Sequence, residues 1–260
     1  MQPHDYAYLY ELEENFWWFV GMRDITKRLL DPLLPRGCDR QVLDAGCGTG
    51  GMLPWLAQYA GSHQVSGIDL SATALDFCRR RGHQQLTRGS IADLPFANST
   101  FDLVTSFDVL QHVFDKRDVP AIGELYRVLR PGGVALVRVS AYQWLRSAHD
   151  DALNVQQRYS LGELTGEMRR AGFNIRRATY ANTLLLPVAV IKRLVFSRAG
   201  AEHAESEVKP WPKGFAWLNG LLTMPLKVEA GFLKNLDLPF GLSAICIGEK
   251  PIHIGSVPSA

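Results

Sequence analysis

From Gln41 onward, short β-branched segments alternate with segments whose apolar residues recur at helical spacing. This alternation is typical of parallel βαβ units, in which helices cover both faces of a sheet. Five segments have the composition of successive strands: QVLDAG, HQVSGIDL, QLTRGS, FDLVTSF and GVALVRVS. The helical segment before the fifth strand stops at Pro131-Gly132-Gly133, which are residues that end helices. The sequence therefore predicts a doubly wound α/β sheet.

The first of these strands leads into a glycine-rich loop, Asp44-Ala45-Gly46-Cys47-Gly48-Thr49-Gly50-Gly51. Its glycines allow close backbone approach, and the helix that follows presents free N–H groups. Gly46, Gly48 and Gly51 also satisfy the dinucleotide pattern G-x-G-x-x-G, so the glycines alone do not identify the cofactor. Asp44 distinguishes between the two cofactors, because a carboxylate that faces the pyrophosphate of a dinucleotide in a partly desolvated cleft is unfavourable. The loop favours a cationic cofactor such as S-adenosylmethionine (SAM).

Two further segments are expected to complete a nucleoside site. Asp69, followed by Leu70, ends the second strand, where a carboxylate can accept hydrogen bonds from both ribose hydroxyls. After the third strand, Ala92-Asp93-Leu94 supplies an acid and apolar side chains for an adenine, with Asp93 accepting from the exocyclic amine. Because Asp69 suits either cofactor, an NAD-dependent oxidoreductase remains the alternative enzyme. The absence of any Tyr-x-x-x-Lys pair weakens that alternative.

Several motifs occur together in this order: VLDAGCGTGG, GIDLS, a D-L-P-F turn, FDLVTSFDVLQHV and LYRVLRPGG. The set resembles the class I SAM-dependent methyltransferases, in particular the type 11 group of small-molecule enzymes, over roughly residues 41–180. The resemblance implies a Rossmann-like sheet of seven strands in the order 3-2-1-4-5-7-6, with LSAICIGEK as the antiparallel seventh strand. It also implies SAM as cofactor, S-adenosylhomocysteine as product, Phe107 as a further cofactor contact, and a small-molecule acceptor methylated on oxygen or nitrogen. A SAM-binding protein without catalysis also remains open.

The chain divides into three predicted parts. Residues 1–40 are expected to form a helical lid, residues 41–183 and 239–250 the SAM-binding domain, and residues 184–238 a helical insertion before the last strand. The insertion is apolar at both ends and polar in the middle, which predicts two helices and a linker. Its position predicts a lid on the acceptor side. A dimer contact ranks second, and an amphipathic membrane contact ranks third because four glutamates offset the lysines and arginines of the insertion: Glu202, Glu205, Glu207 and Glu229.

The amino-terminal part packs four aromatic residues, Phe16-Trp17-Trp18-Phe19, before the basic Arg23. Type 11 enzymes have a similar opening. The resemblance implies a lid over the cofactor, with Arg23 reaching the methionine carboxylate and Trp18 bordering the acceptor. The alternative is simple packing of the aromatic rings against the sheet.

Methyl transfer is an in-line displacement, so the enzyme supplies positioning and, for a hydroxyl or ammonium acceptor, a group that takes the proton. His112, just past the fourth strand, and His149, after the fifth, are the candidate bases, and Asp150 could orient His149. For His112 the alternative is a structural role as a helix cap or cofactor contact. The loop of His149 could equally be a surface loop pinned by an ion pair between Asp150 and Arg158. The same region supplies the expected acceptor wall: Tyr142, Trp144, Arg158 and Tyr159.

Composition excludes several partners. The net charge of +2 gives no field that would concentrate the protein on nucleic acid, and neither an Asn/Asp-Pro-Pro-Tyr box nor a Pro-Cys nucleophile occurs. No metal is expected, because the adjacent residues of His149-Asp150-Asp151 cannot all reach one ion. The acidic amino terminus lacks a secretory pattern, and the longest uncharged run, residues 178–191, is shorter than the ~20 residues of a membrane-spanning helix. We expect a cytoplasmic monomer or homodimer without a transmembrane span, with peripheral membrane contact left open.

Overall fold

A computed structural model describes residues 3–113, 118–147, 150–151, 153–196 and 217–252. A seven-stranded sheet lies at its centre, with the strand order β3-β2-β1-β4-β5-β7-β6. The strands are β1 (Val42–Ala45), β2 (Ser66–Asp69), β3 (Leu86–Arg88), β4 (Phe101–Phe107), β5 (Leu129–Ser140), β6 (Asn174–Ala181) and β7 (Ser243–Glu249). All pairs from β3 to β5 are parallel, whereas β7 runs antiparallel to both β5 and β6. The predicted fold class, strand order and antiparallel last strand are confirmed.

Helices cover both faces of the sheet in the described part of the chain. They are α1 (Pro3–Leu12), α2 (Trp17–Leu30), α3 (Leu53–Ala60), α4 (Ala72–Arg80), α5 (Asp118–Val128), α6 (Leu161–Arg170), α7 (Leu186–Phe196) and α8 (Leu218–Phe232). Successive residues of a strand point to opposite faces, and β5 shows this directly. Ala135 and Val137 join the core under α5 and α6, whereas Val134 and Leu136 join the core under α2, α3 and α8.

Local sequence explains several helix starts. At α6, the Ser160 hydroxyl accepts a hydrogen bond from the Glu163 N–H while the Glu163 carboxylate accepts from the Ser160 N–H, which forms a capping box. At α4, the Ser71 side chain accepts from the Ala74 N–H. Each cap satisfies backbone donors that the first turn of a helix leaves free.

The amino-terminal helix α2 and the insertion helix α8 pack against each other across a very close contact. A Cβ atom added at Gly21 would lie 2.3 Å from Leu226 Cδ1, so only glycine allows the two helices to approach this closely. Met22 and Ile25 of α2 and Leu226 of α8 are fully buried in the same core. The Trp17 N–H also donates to Asn219 Oδ1 at 3.2 Å.

The carboxylate of Glu229 joins α8 to the start of α7. It accepts hydrogen bonds from the N–H groups of Asn182, Thr183 and Leu184, and it is almost completely buried. The two predicted insertion helices are thus present as α7 and α8, while the predicted linker falls on residues 197–216, outside the described residues. No helix in the described ranges combines the length and the apolar character that crossing a bilayer requires.

Candidate active site

A cavity of about 1000 Å³ opens at the carboxyl edge of β1, β2 and β4. This is the edge at which parallel α/β sheets bind ligands. Loops after these strands form its floor, and α1 and α2 form its roof. Its volume is at the upper end of the range for small-molecule sites, so it has room for two ligands side by side.

The glycine loop has the tight geometry that its sequence predicts. Gly46 has φ +90°, and a Cβ atom there would lie 2.2 Å from Val109 Cγ2. The N–H groups of Gly46 and Cys47 both donate to the carbonyl of Ile68, which ties the loop to β2. Gly46 and Gly48 line the cavity, whereas Gly50 does not. Gly50 instead packs against Cys78, whose Sγ would lie 2.9 Å from an added Cβ.

Asp44 is a buried carboxylate in the cavity wall. Only 2% of its surface is exposed, and its Oδ1 accepts a hydrogen bond from Thr105 Oγ1 at 2.8 Å. Burial raises the pKa of Asp44 to about 7, and the neighbouring carboxylates of Glu13 and Asp69 add to the rise. Arg138 acts in the opposite direction. A ligand cation near Asp44 would restore its ionised form, so this end of the cavity is built to hold positive charge.

Asp69 lies beside the glycine loop and also lines the cavity, together with Leu70. Its Oδ2 accepts from the Gly48 N–H at 3.0 Å and its Oδ1 from the Ser71 N–H at 2.8 Å. Burial raises the pKa of Asp69, while these two backbone hydrogen bonds act against the rise. Each oxygen keeps a second acceptor site, which is compatible with the predicted contact to ribose hydroxyls.

The expected adenine segment enters the cavity only in part. Ala92 lines the cavity, together with the three residues before it, Gly89, Ser90 and Ile91. Asp93 and Leu94 are not among the lining residues. The Asp93 side chain is exposed, and Leu94 is buried in the core while its N–H donates to Glu124 Oε2 at 2.7 Å.

Helix α1 contributes an acidic residue that the sequence did not single out. Glu13 is buried, and its Oε2 accepts from Thr49 Oγ1 at 2.5 Å and from the Gly51 N–H at 2.8 Å. Burial raises the pKa of Glu13, whereas the Thr49 hydrogen bond and the charge of Arg81 act against the rise. Glu13 thus fastens α1 onto the glycine loop and adds negative charge to the cavity wall. No local motif marks it, because its partners lie almost forty residues away along the chain.

Arg23 lies outside the lining of the cavity. Its guanidinium donates to the carbonyl oxygens of Glu13, at 2.8 Å, and Glu14, at 2.5 Å. These bonds use the free carbonyls at the end of α1 and fix the turn between α1 and α2. The structure therefore gives Arg23 a structural contact outside the cavity lining, and its contact with the methionine carboxylate stays a prediction.

Five aromatic rings line one part of the cavity, which we call its aromatic end. Phe16, Trp17, Trp18 and Phe19 line it from α2 and its N-terminal boundary, and Phe107 lines it from the end of β4. Arg138 of β5 stands between two of these rings, with its guanidinium carbon 5.0 Å from the Trp18 centroid and 4.9 Å from the Phe107 centroid. Cation–π contacts of this kind stabilise a desolvated arginine.

Arg138 is 5% exposed and donates through Nε and one terminal nitrogen to Asp108 Oδ2, at 2.9 and 2.6 Å. The pair places one compact polar group in an otherwise aromatic wall. A single charge inside the apolar strand GVALVRVS was the sequence feature that could have identified it, because arginine is seldom buried without a specific partner.

His112 lies in the cavity wall after β4. Its Nδ1 is 3.3 Å from the carbonyl oxygen of Asn154. Burial lowers the pKa of His112, so the ring is neutral at pH 7. If Nδ1 carries the proton that this carbonyl accepts, Nε2 has the free lone pair of a base.

The residues of the expected acceptor wall do not line this cavity: Tyr142, Trp144, Arg158 and Tyr159. Tyr142 stacks on Trp144 and on Tyr180, and Trp144 is 59% exposed. Tyr159 is buried, and its hydroxyl donates to Asp118 Oδ2 at 3.0 Å. Among the predicted acceptor contacts, Trp18 alone is a lining residue.

Asp150 and Arg158 form the ion pair that was the alternative interpretation of their loop. The separation of Arg158 Nη2 and Asp150 Oδ1 is 2.9 Å, and Asp150 is 2% exposed. Asp150 also accepts a hydrogen bond from the Ser147 N–H at 2.7 Å. The ion pair with Asp150 therefore engages Arg158 away from the cavity. His149 lies outside the described residues, so its predicted role as a base is not addressed by the structure.

Residues 43–137 match the family of the methyltransferase domain. A probable S-adenosylmethionine-dependent methyltransferase of Mycolicibacterium smegmatis is 32% identical over 166 residues, which are 63% of this chain and 61% of the relative. A fatty-acid O-methyltransferase of the same organism is 34% identical over 124 residues, covering 45% of this chain and 44% of the relative. This chain therefore matches less than two thirds of the length of either relative.

Solved structures share the fold at lower identity. Phosphoethanolamine N-methyltransferase 2 of Haemonchus contortus, solved in complex with S-adenosyl-L-methionine, superposes with a TM-score of 0.55 at 20% identity. The superposition covers 87% of this chain and 53% of that structure. The likeness extends the agreement from the matched segment to the whole sheet.

Proposed function

Since residues 43–137 match the methyltransferase-domain family and a probable S-adenosylmethionine-dependent methyltransferase is among the relatives, we propose that the chain is a class I SAM-dependent methyltransferase. We propose that it methylates an oxygen or nitrogen atom of a small molecule with an apolar body. The single cavity with a carboxylate-lined end and an aromatic end carries the proposal. One end suits the charged methionine part of the cofactor, and the other suits an acceptor of low polarity. The fatty-acid O-methyltransferase among the relatives agrees with an apolar acceptor.

The residues at the acidic end fit SAM by their chemistry. Asp44 and Glu13 offer carboxylates to the cofactor's cationic groups, and Asp69 offers acceptors to its ribose. Gly46 and Gly48 leave room for close approach of the backbone. When bound, SAM supplies a methyl carbon that the adjacent sulfonium makes electrophilic.

The aromatic end would hold the acceptor by its apolar body. Aromatic side chains bind flat or chain-like apolar groups over a large area, so Trp18 and Phe107 can fix the direction from which the acceptor approaches. The Arg138–Asp108 pair is the polar element of this wall and suits a polar head group next to the atom that is methylated.

We assign the proton transfer to His112. As the acceptor atom forms its bond to the methyl carbon, a hydroxyl or ammonium acceptor must lose a proton. A neutral imidazole in the cavity wall can take that proton on Nε2, while Nδ1 stays bonded to the carbonyl of Asn154. The base needs no orienting carboxylate in this arrangement, because the backbone carbonyl selects the tautomer.

The test combines binding with turnover. Calorimetric titration of the protein with SAM, S-adenosylhomocysteine and NAD should give binding of the first two only. Incubation with methyl-labelled SAM and a panel of fatty acids, phenols and hydrophobic amines should then transfer label to at least one member. Binding without transfer to any hydrophobic acceptor, together with transfer to a strongly polar metabolite, would contradict the proposed acceptor class.

For the base, His112→Gln should lower kcat about 10²-fold or more while changing the Kd of SAM less than about threefold, in line with the usual contribution of general bases. His63→Gln is the matched control, because His63 is exposed on the surface and does not line the cavity. The activity of wild type should rise with pH as His112 loses its proton, and the His112→Gln variant should lack that limb of the profile. Equal kcat values for both variants would remove His112 from the mechanism.

A further inference from the structure

Helix α8 is apolar on two opposite sides. Its inner side, which includes Thr223, Leu226 and Ala230, is buried against α2 and the sheet. Its outer side carries five large apolar side chains that are each more than half exposed: Trp217, Leu221, Met224, Val228 and Phe232. The spacing of three or four residues places them in one line along the helix, which we call the outer stripe.

The outer stripe does not stand alone. Leu236 and Phe240, after the end of α8, and Val188 and Ile191, on α7, are also exposed apolar residues. Single exposed apolar residues are ordinary on a protein surface, but a line of five such side chains along one helix marks a contact with another molecule or a membrane. With 15 residues, α8 is too short to span a bilayer, which needs about 20. Its outer side is therefore suited to lie along a surface.

The charges around the outer stripe indicate which surface. Lys227 and Lys234 are exposed on α8 and at its end. The acidic residue of the helix, Glu229, is buried and bonded to three backbone N–H groups, so it does not offset them at the surface. Asp237, which follows, is paired with Arg177 at 2.7 Å. Among the described residues of α8 and of the segment 233–237, the exposed charge next to the stripe is thus cationic. Three of the four glutamates weighed in the sequence analysis, Glu202, Glu205 and Glu207, lie outside the described residues.

We propose that α8 docks on the surface of an anionic lipid bilayer through the outer stripe, with Lys227 and Lys234 at the level of the lipid head groups. Exposed apolar side chains flanked by lysines are the pattern of helices that lie in the membrane interface. Each lysine near an anionic surface adds about fivefold to the partition coefficient, the equivalent of about 1 kcal/mol. A dimer fits less well, because lysine is depleted at the centre of protein interfaces, and a symmetric pair of α8 helices would bring the same cations together.

The test uses the full chain and sucrose-loaded vesicles of phosphatidylcholine alone or with one quarter phosphatidylglycerol. Wild type should sediment with the anionic vesicles at least about tenfold more strongly than with the neutral ones, and the difference should shrink as salt is raised. In the first variant, Leu221→Gln, Met224→Gln and Val228→Gln are combined. It should lose vesicle binding more than about tenfold, because it removes three of the five apolar side chains that would enter the lipid interface. Circular dichroism and SAM binding should stay as in wild type, because the three side chains are exposed.

A second variant combines Lys227→Glu with Lys234→Glu. It should bind anionic vesicles more weakly than wild type, while its binding to neutral vesicles should not change. Its control combines Arg79→Glu with Arg170→Glu, which also reverses two exposed cations in the last turns of helices but lies away from α8. Val119→Gln is the control for the apolar substitutions, since Val119 is an exposed apolar residue of α5.

Three results would overturn the proposal. Wild type that stays in the supernatant with both vesicle types would exclude lipid docking. A concentration-dependent dimer that the triple variant abolishes, without vesicle binding, would assign the stripe to a second copy. A triple variant that melts far below wild type would show that another part of this chain covers the stripe. None of these measurements depends on the identity of the methyl acceptor.

Discussion

The pKa of Asp44 makes cofactor affinity depend on pH near neutrality. Burial raises this pKa from 3.8 to about 7. Since one unit corresponds to about 1.4 kcal/mol, keeping Asp44 ionised in the free protein costs about 4 kcal/mol relative to water. A bound ammonium or sulfonium group near Asp44 would offset that cost, so we expect the cofactor to bind the ionised form of the site and to be opposed by the protonated form.

The sign and size of the effect follow from this pKa. About one tenth of the free protein has an ionised Asp44 at pH 6, and about three quarters at pH 7.5. The affinity for S-adenosylhomocysteine, whose ammonium carries the charge in this range, should therefore rise about eightfold between these values. Near pH 7 binding should release about half a proton from Asp44. Glu13 and Asp69, whose pKa values burial also raises, act in the same direction.

Calorimetric titration at pH 6, 6.5, 7 and 7.5 measures the affinity, and repeating it in two buffers of different ionisation enthalpy counts the released protons. Asp44→Asn should bind about tenfold to a hundredfold more weakly at pH 7.5, the usual loss for a hydrogen bond to a charged group, and should show a much flatter pH dependence. Without ligand, the Asp44→Asn variant should also keep its stability better between pH 6 and 8. A carboxyl whose pKa is raised on folding stabilises the protein at low pH and loses that contribution as pH rises through the raised pKa.

The affinity of the wild-type protein, measured at different pH values, can refute this prediction. Equal affinity within twofold at pH 6 and pH 7.5, without proton release, would mean that the cofactor's cation does not contact the Asp44 end of the cavity. A pH dependence in Asp44→Asn that is as steep as in wild type would mean that another acid controls binding.

Three further substitutions test the architecture and the acceptor wall. Gly46→Ala should lower the affinity for S-adenosylhomocysteine more than about tenfold and destabilise the fold by about 1–3 kcal/mol. The reasons are the φ of +90° at Gly46 and its contact with Val109. Gly37→Ala is the control for backbone strain alone, because Gly37 has φ +75° and open space around it. Leu226→Ala should lower the free energy of unfolding by about 2–5 kcal/mol in urea titrations. The control Leu221→Ala, at an exposed residue, should change it by less than about 0.5 kcal/mol. A small effect of Leu226→Ala would contradict the packing of α2 against α8. Arg138→Lys should raise the KM of the acceptor severalfold with little change in the Kd of SAM. An ammonium lacks the planar guanidinium that bonds Asp108 and stacks on two aromatic rings. An unchanged KM would place the acceptor elsewhere.

The fold was predictable from the sequence because its determinants are local and periodic. Strand and helix alternation, the glycine loop after β1 and the position of LSAICIGEK led to a seven-stranded sheet that the structure confirms, including the antiparallel β7. The predictions of SAM as cofactor and of a methyltransferase rather than an oxidoreductase agree with the family match over residues 43–137 and with the relatives, and for this chain both are proposals. Asp44 was the residue of the sequence that separated the two enzyme classes, because it sets the charge of the site.

Most of the predicted residues that line the cavity stand near strand ends. Asp44 and Asp69 lie at the carboxyl ends of β1 and β2, His112 follows β4, and parallel strands end at one edge of a sheet. Tyr159 and Arg158 also follow a strand, yet their polar groups are taken by Asp118 and Asp150. A sequence shows which side chains can form hydrogen bonds but does not show which partner each one meets. For the same reason it missed two residues whose roles arise from distant contacts, Glu13 and Arg138.

The contact between α2 and α8 gives the insertion an influence on the cavity that its sequence position alone did not reveal. None of the described residues in 184–196 and 217–238 lines the cavity, so the insertion borders no ligand directly in this part of the chain. Yet α8 buries Leu226 against Gly21, in the same helix that presents Trp17 and Trp18 to the aromatic end. One helix layer therefore separates the outer side of α8 from the aromatic end of the cavity, and close packing leaves little free space between them.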